Sequence, residues 1–91
     1  MTITIAGIAF DHHHYDDRGD VLYLNVGEPR PAASGLETPD GHAIHYDESG
    51  AVIGITLLNV RHTLKQDGQL TLTLPPEHLA AGALERILVA A

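Results

Sequence analysis

The chain has 91 residues and a mass of 9.7 kDa, enough for one hydrophobic core and too few to enclose a second. Its 44% apolar and 19% charged residues argue against general disorder, and no apolar run approaches the roughly 20 residues that cross a bilayer. There is no cysteine, which excludes disulfides, thiolate nucleophiles and Cys-ligated zinc. The net charge of −7 falls entirely in residues 1–50, with nine acids against two bases, while residues 51–91 balance at three of each. An acidic half with no basic stripe repels phosphate, so neither nucleic acid nor a membrane is expected as a partner.

Alternation dominates the first three-quarters. Met1-Thr2-Ile3-Thr4-Ile5 has no basic lead and reads as a strand rather than a signal peptide, so a cytoplasmic location is expected. Ile8 and Phe10 resume the pattern after Ala6-Gly7, where a bulge is predicted. Asp20–Val26 and Ala51–Val60 are apolar on both faces and read as central strands. Between strands lie turn signals at Asp16-Asp17-Arg18-Gly19, Asp47-Glu48-Ser49-Gly50 and Gln66-Asp67-Gly68. Pro29, Pro31 and Pro39 make residues 27–41 too rich in breakers for regular structure, which predicts a mobile loop. Leu70, Leu72 and Leu74 alternate with threonines as a strand with one wet face.

The end of the chain changes period. Pro75-Pro76-Glu77 looks like a helix start, and Leu79, Ala83, Leu84, Ile87, Leu88 and Ala91 recur at helical spacing, predicting a helix over about 76–90. Gly82 weakens it by about 1 kcal/mol relative to alanine. The expected fold is therefore α+β, a single domain over 1–91. It is an antiparallel β-meander of four or five strands with one C-terminal helix packed on a face.

An internal repeat carries the most information. Residues 14–22, His-Tyr-Asp-Asp-Arg-Gly-Asp-Val-Leu, align with residues 45–53, His-Tyr-Asp-Glu-Ser-Gly-Ala-Val-Ile, at an offset of 31 with five of nine positions identical. Each copy has the chemistry of a hairpin corner. The aspartate (Asp16, Asp47) can cap turn N–H groups, the glycine (Gly19, Gly50) can take positive φ, and the tyrosine (Tyr15, Tyr46) packs beside the turn.

These segments resemble the domain of unknown function 2283, a small bacterial family. Tyr15, Asp16, Asp20, Val21, Leu22, Tyr23 and Leu24 match its first signature. Tyr46, Asp47, Glu48, Gly50, Val52, Ile53, Gly54 and Ile55 match its second, with Thr56 where the family often has an acid. The resemblance spans about residues 8–60. It implies the fold and a non-catalytic interaction module, antitoxin-like or accessory to a small protein partner, and it assigns no activity.

Seven histidines are the main chemical anomaly. His12 and His14 share a strand face and could chelate a divalent transition metal, with Asp11, Asp16 and His45 as candidates to complete the site. No other cofactor is expected. His42 and His45 are three apart and face opposite sides. Asp16, Asp17 and Asp20 have turn chemistry, because Arg18 occupies a calcium-ligand position and the glycine and terminal glutamate of an EF-hand are missing. Neither Ser34 nor Ser49 sits in a nucleophile motif, and no glycine-rich phosphate loop occurs, so no catalytic residues are expected. The metal-binding reading is the alternative to the interaction module, and an uncharacterised hydrolase stands third. Apolar side chains on both faces of the central strands predict a homodimer through the Ala51–Val60 strand, the helix stripe, or both.

Overall fold

Short strands joined by tight turns build the molecule. The computed structural model describes residues 2–73, 76–80, 84 and 88. β1 (Ile3–Ile5) and β2 (Ile8–Phe10) form a two-stranded hairpin. The Ala6-Gly7 corner, expected as a bulge, is its two-residue turn, with φ of 50° and 82°. Positive φ at both positions gives the turn whose twist matches paired strands.

The central sheet contains β3 (His12–Asp16), β4 (Val21–Asn25), β5 (Ser34–Glu37), β6 (Ala43–Tyr46) and β7 (Val52–Leu58). Every pairing is antiparallel, in the spatial order β3-β4-β7-β6-β5. The α+β class and the antiparallel sheet are as the sequence implies. The order departs from a simple meander, because after β4 the chain crosses to the far edge and returns through β5 and β6, so that β7 pairs with β4. Residues 34–37 thus form an edge strand inside the segment expected to lack regular structure. Its three prolines lie outside those four residues, where they do not interrupt the ladder.

The two repeat copies are the hairpins β3–β4 and β6–β7, and the ladder between β4 and β7 is symmetric in them. The repeat offset maps Leu24 onto Ile55, and these two residues lie directly opposite each other. A local two-fold passes between them.

Burial separates the sheet's faces. Leu22, Leu24, Ile44, Ile55 and Leu57 point inward and are almost fully buried, each contributing about 1.5–3 kcal/mol. Over them pack Ile3, Ile5 and Phe10 of the first hairpin, Val60 and Leu64 of a helix, and Leu70, Leu72, Leu79, Leu84 and Leu88. That helix, α1 (Val60–Asp67), is absent from the sequence-based expectation, and Gly68 ends it with φ 74° and its N–H on the Leu64 carbonyl at 2.9 Å. The Gln66-Asp67-Gly68 signal is therefore a helix C-terminus and not a hairpin turn.

The C-terminal prediction is corrected in part. Pro76–Ala80 is β9, paired antiparallel with β8 (Gln69–Thr73), and not the first turn of a helix. A proline is tolerated at the first residue of a strand, and Leu79 gains Leu70 as its cross-strand partner. Leu84 and Leu88 are helical and buried; the rest of the predicted helix lies outside the described residues. Ile55 and Leu57 of β7, with Leu79, Leu84 and Leu88, are buried within the chain, so these side chains are spent on its own core and not on a surface.

Candidate functional site

The outer face of the central sheet carries two cross-strand rows. One runs His14, Tyr23, Thr56, Ala43, and the other His12, Asn25, Gly54, His45. The repeat offset interchanges the rows, with His14 and His45 as mates, Asn25 matched to Thr56, and Tyr23 matched to Gly54. Two histidines that precede the same Tyr-Asp turn are thereby carried to one surface. His14 stacks on Tyr23, with ring centroids 6.1 Å apart. His45 Nε2 and the Thr56 hydroxyl are 2.9 Å apart.

Gly54 makes room for the second row. A Cβ there would lie 3.0 Å from Asn25 Nδ2 and 3.2 Å from the Leu24 carbonyl oxygen. The register slips between His45 and Tyr46, so that Val52 packs toward the core while Ile53, 4% exposed, lines the outer surface. The crossover from β4 to β5 then closes one side. It is held by Val26 N–H on the Ile53 carbonyl (2.9 Å), Gly27 N–H on Asp11 (2.8 Å) and Ala33 N–H on the Tyr46 carbonyl (2.9 Å). Pro29, Arg30 and Ala32 of this crossover, with His14, Tyr23 and Thr56 of the first row and Asn25 and His45 of the second, bound a cleft of about 510 Å3. That volume is in the usual range for small-molecule sites. None of the cleft's described lining residues is acidic, although the chain has 12 acids.

The rim is fixed by turn chemistry. Arg30 reaches Asp47 at 3.3 Å. Asp47 accepts from the Ser49 hydroxyl (2.6 Å) and from the N–H groups of Ser49 (2.8 Å) and Ala51 (3.1 Å), and these bonds hold its carboxyl below the usual range. Gly50 has φ 85°, as the repeat predicts. The first copy differs. Asp16 accepts from Arg18 N–H at 3.1 Å, but Asp20 rather than Gly19 takes the positive φ, at 56°.

The reason lies in what Asp20 does. It accepts from the Tyr15 hydroxyl (2.6 Å) and from the N–H groups of Arg61 (2.8 Å) and His62 (3.0 Å), the open donors at the start of α1. Asn59, at the helix N-cap, makes no side-chain cap bond. Asp20 therefore caps α1 from a distant hairpin, and the left-handed backbone that Asp tolerates aims its carboxylate there. Burial alone would raise its pKa, but the Tyr15 hydroxyl and the two N–H groups outweigh burial and hold it below the ordinary carboxylate value. The Tyr15 hydroxyl is pushed up to about 12, by burial first and then by Asp20. Arg61 lies 5.1 Å from the Tyr15 ring centroid and donates to the Leu88 carbonyl at 3.1 Å.

His12 and His14 do share a face of β3, as alternation predicts, yet they have different neighbours. His12 lies 3.2 Å from Asp11, and His14 stacks on Tyr23. Among the described residues no group of three or more His, Asp or Glu side chains is placed to hold a metal. His42 and His45 face opposite sides, His42 buried and His45 in the cleft. Sequence reasoning missed Asn25, Arg30 and Ile53. The repeat carried the signal for His14 and His45 meeting, once β4 and β7 are known to pair.

A family model, DUF2283, a protein family of unknown function, matches residues 13–61, just over half of the chain. The chain belongs to the DUF2283 family. The matched stretch runs from β3 to the start of α1, so it contains both repeat hairpins, nearly all of both outer-face rows and the Asp20 cap. DUF2283 membership gives no sign of catalysis. No curated protein and no solved structure gives a match. Among the described residues, no helix is long and apolar enough to cross a membrane.

Proposed function

We propose that this DUF2283 chain is a non-catalytic binding module whose working surface is the cleft on the outer face of the sheet. One observation carries the reading. A cleft of about 510 Å3 is framed by rigid strands on one side and a tethered crossover on the other. Its described lining holds aromatic, amide, hydroxyl and imidazole groups over aliphatic walls, a set suited to holding a ligand. An NMR screen of amide shifts against a small-molecule fragment library tests it. Hits concentrated on Tyr23, Asn25, Ile53 and Thr56 are expected; hits scattered over the surface, or none, would overturn it.

A second copy of the chain is the protein partner that this reading expects. The supporting feature is Leu36, 43% exposed on β5, the edge strand whose four residues are all exposed. The opposite edge, β3, carries three histidines and Asp16, a polar border of the kind that discourages pairing. Two β5 strands running antiparallel would continue the sheet and cover both Leu36 side chains. An accessory role beside a different small protein would use the same edge.

A further inference from the structure

We infer that the ligand of the outer cleft is a small molecule with a carboxylate on a flat apolar body; this rests on the binding-module reading and names the ligand class. The first ground is charge. The molecule carries −7 overall, yet the described lining of this cleft is without acids and includes Arg30, His14 and His45. A cationic ligand would gain nothing from that segregation, whereas an anion meets the one arginine of the crossover, which Asp47 contacts at the rim.

The second ground is the distribution of donors. Arg30 uses one contact to Asp47, at 3.3 Å, and its guanidinium side chain is half-exposed. Asp47 is already bonded by the Ser49 hydroxyl and by the N–H groups of Ser49 and Ala51, so it serves as an anchor for Arg30. A guanidinium has five N–H donors in a planar fork, and those left over match a carboxylate in a bidentate pair. The Asn25 amide on the sheet floor adds a neutral donor.

The third ground is shape. The His14–Tyr23 pair, inclined at 22°, offers an aromatic surface beside the donors. The repeat mate of Tyr23, Gly54, has no side chain, so the floor is stepped and not symmetric. A planar body can lie against Tyr23 while its carboxylate turns toward Arg30.

Benzoate and its uncharged isostere benzamide are the probes, titrated into the full chain by NMR. Benzoate is expected to shift Tyr23, Asn25 and Thr56 with an affinity at least about tenfold above that of benzamide, the scale of a charge-assisted hydrogen bond. Arg30→Gln should remove that preference, bringing the affinity for benzoate down to that for benzamide. Raising the salt from about 0.02 to about 0.2 M should weaken benzoate and not benzamide. The salt series needs no variant, so it stands even if Arg30→Gln alters the crossover. If benzamide binds the cleft as tightly as benzoate, the carboxylate inference fails and the binding module stands. If neither probe shifts a cleft amide, the inference of a flat carboxylate ligand fails, and the fragment-library screen decides the binding module separately.

Discussion

Asp20→Ala tests the long-range cap of α1. The carboxylate accepts three hydrogen bonds, from the Tyr15 hydroxyl and the N–H groups of Arg61 and His62. Losing an N-cap costs about 1–2 kcal/mol, and leaving the Tyr15 hydroxyl unpaired beside the core costs about 1–3 kcal/mol. The side chain is partly exposed, so water recovers some of this, and the expected loss is about 2–4 kcal/mol. A domain of this size has about 5–14 kcal/mol in total. Asp20→Asn keeps the left-handed backbone and one acceptor, and should lose about half as much. Urea denaturation followed by circular dichroism measures both. Tyr15→Phe supplies the control, since it should cost less in the Asp20→Ala background than in the wild type, a coupling of about 1–2 kcal/mol. Because the folded pKa of Asp20 is lowered, its contribution is complete above about pH 4 and is lost as pH falls through that lowered value. The acid limb of the stability curve should therefore flatten in Asp20→Asn. An Asp20→Ala loss below about 0.5 kcal/mol, or no coupling to Tyr15, would refute the cap.

Three further outcomes follow from other residues. His42 is buried, accepts the Leu58 N–H on Nδ1 at 3.0 Å, and has its pKa lowered by burial, partly offset by Asp40. The unfolded chain takes up a proton at about pH 6.5 that the folded chain refuses, so stability should be full above that pH and fall below it; denaturation midpoints unchanged down to about pH 5.5 would contradict this. Gly54→Ala puts a Cβ 3.2 Å from the Leu24 carbonyl oxygen and should cost about 1–3 kcal/mol, lowering the melting temperature by roughly 5–20 °C in calorimetry; a wild-type melt would show that the two rows are not packed as described. Light scattering should give twice the chain mass for the wild type and one chain mass for Leu36→Glu, and a monomeric wild type would remove β5 as the self-pairing edge.

What the sequence made legible was local. The Tyr-Asp turns announced two hairpins because Asp16 and Asp47 cap their own corners within a few residues. Leu70 and Leu72 announced β8 by strict alternation. Helix α1 was hidden because only Val60 and Leu64 are apolar and buried in its eight residues, and because its cap, Asp20, arrives from another part of the chain. Pro75-Pro76 misled because proline suits both a first helical turn and the start of a strand, and the partner that decides for a strand, β8, acts through tertiary pairing. The cleft was hidden for the same kind of reason. His14 and His45 become neighbours of one cavity only through the β4–β7 ladder, and Arg30 enters it from a segment whose prolines spoke only of irregularity.

Thr56→Trp gives the most direct test of the cleft as the working surface. Position 56 lies on the outer face of the central strand β7 and lines the cleft, so a large aromatic side chain placed there should fill it. With the melting temperature checked against wild type, the variant should retain the amide spectrum of the core and lose binding of every fragment that the wild-type cleft takes. Fragments bound by Thr56→Trp with wild-type affinity would contradict the account, because they would be held somewhere other than the outer face.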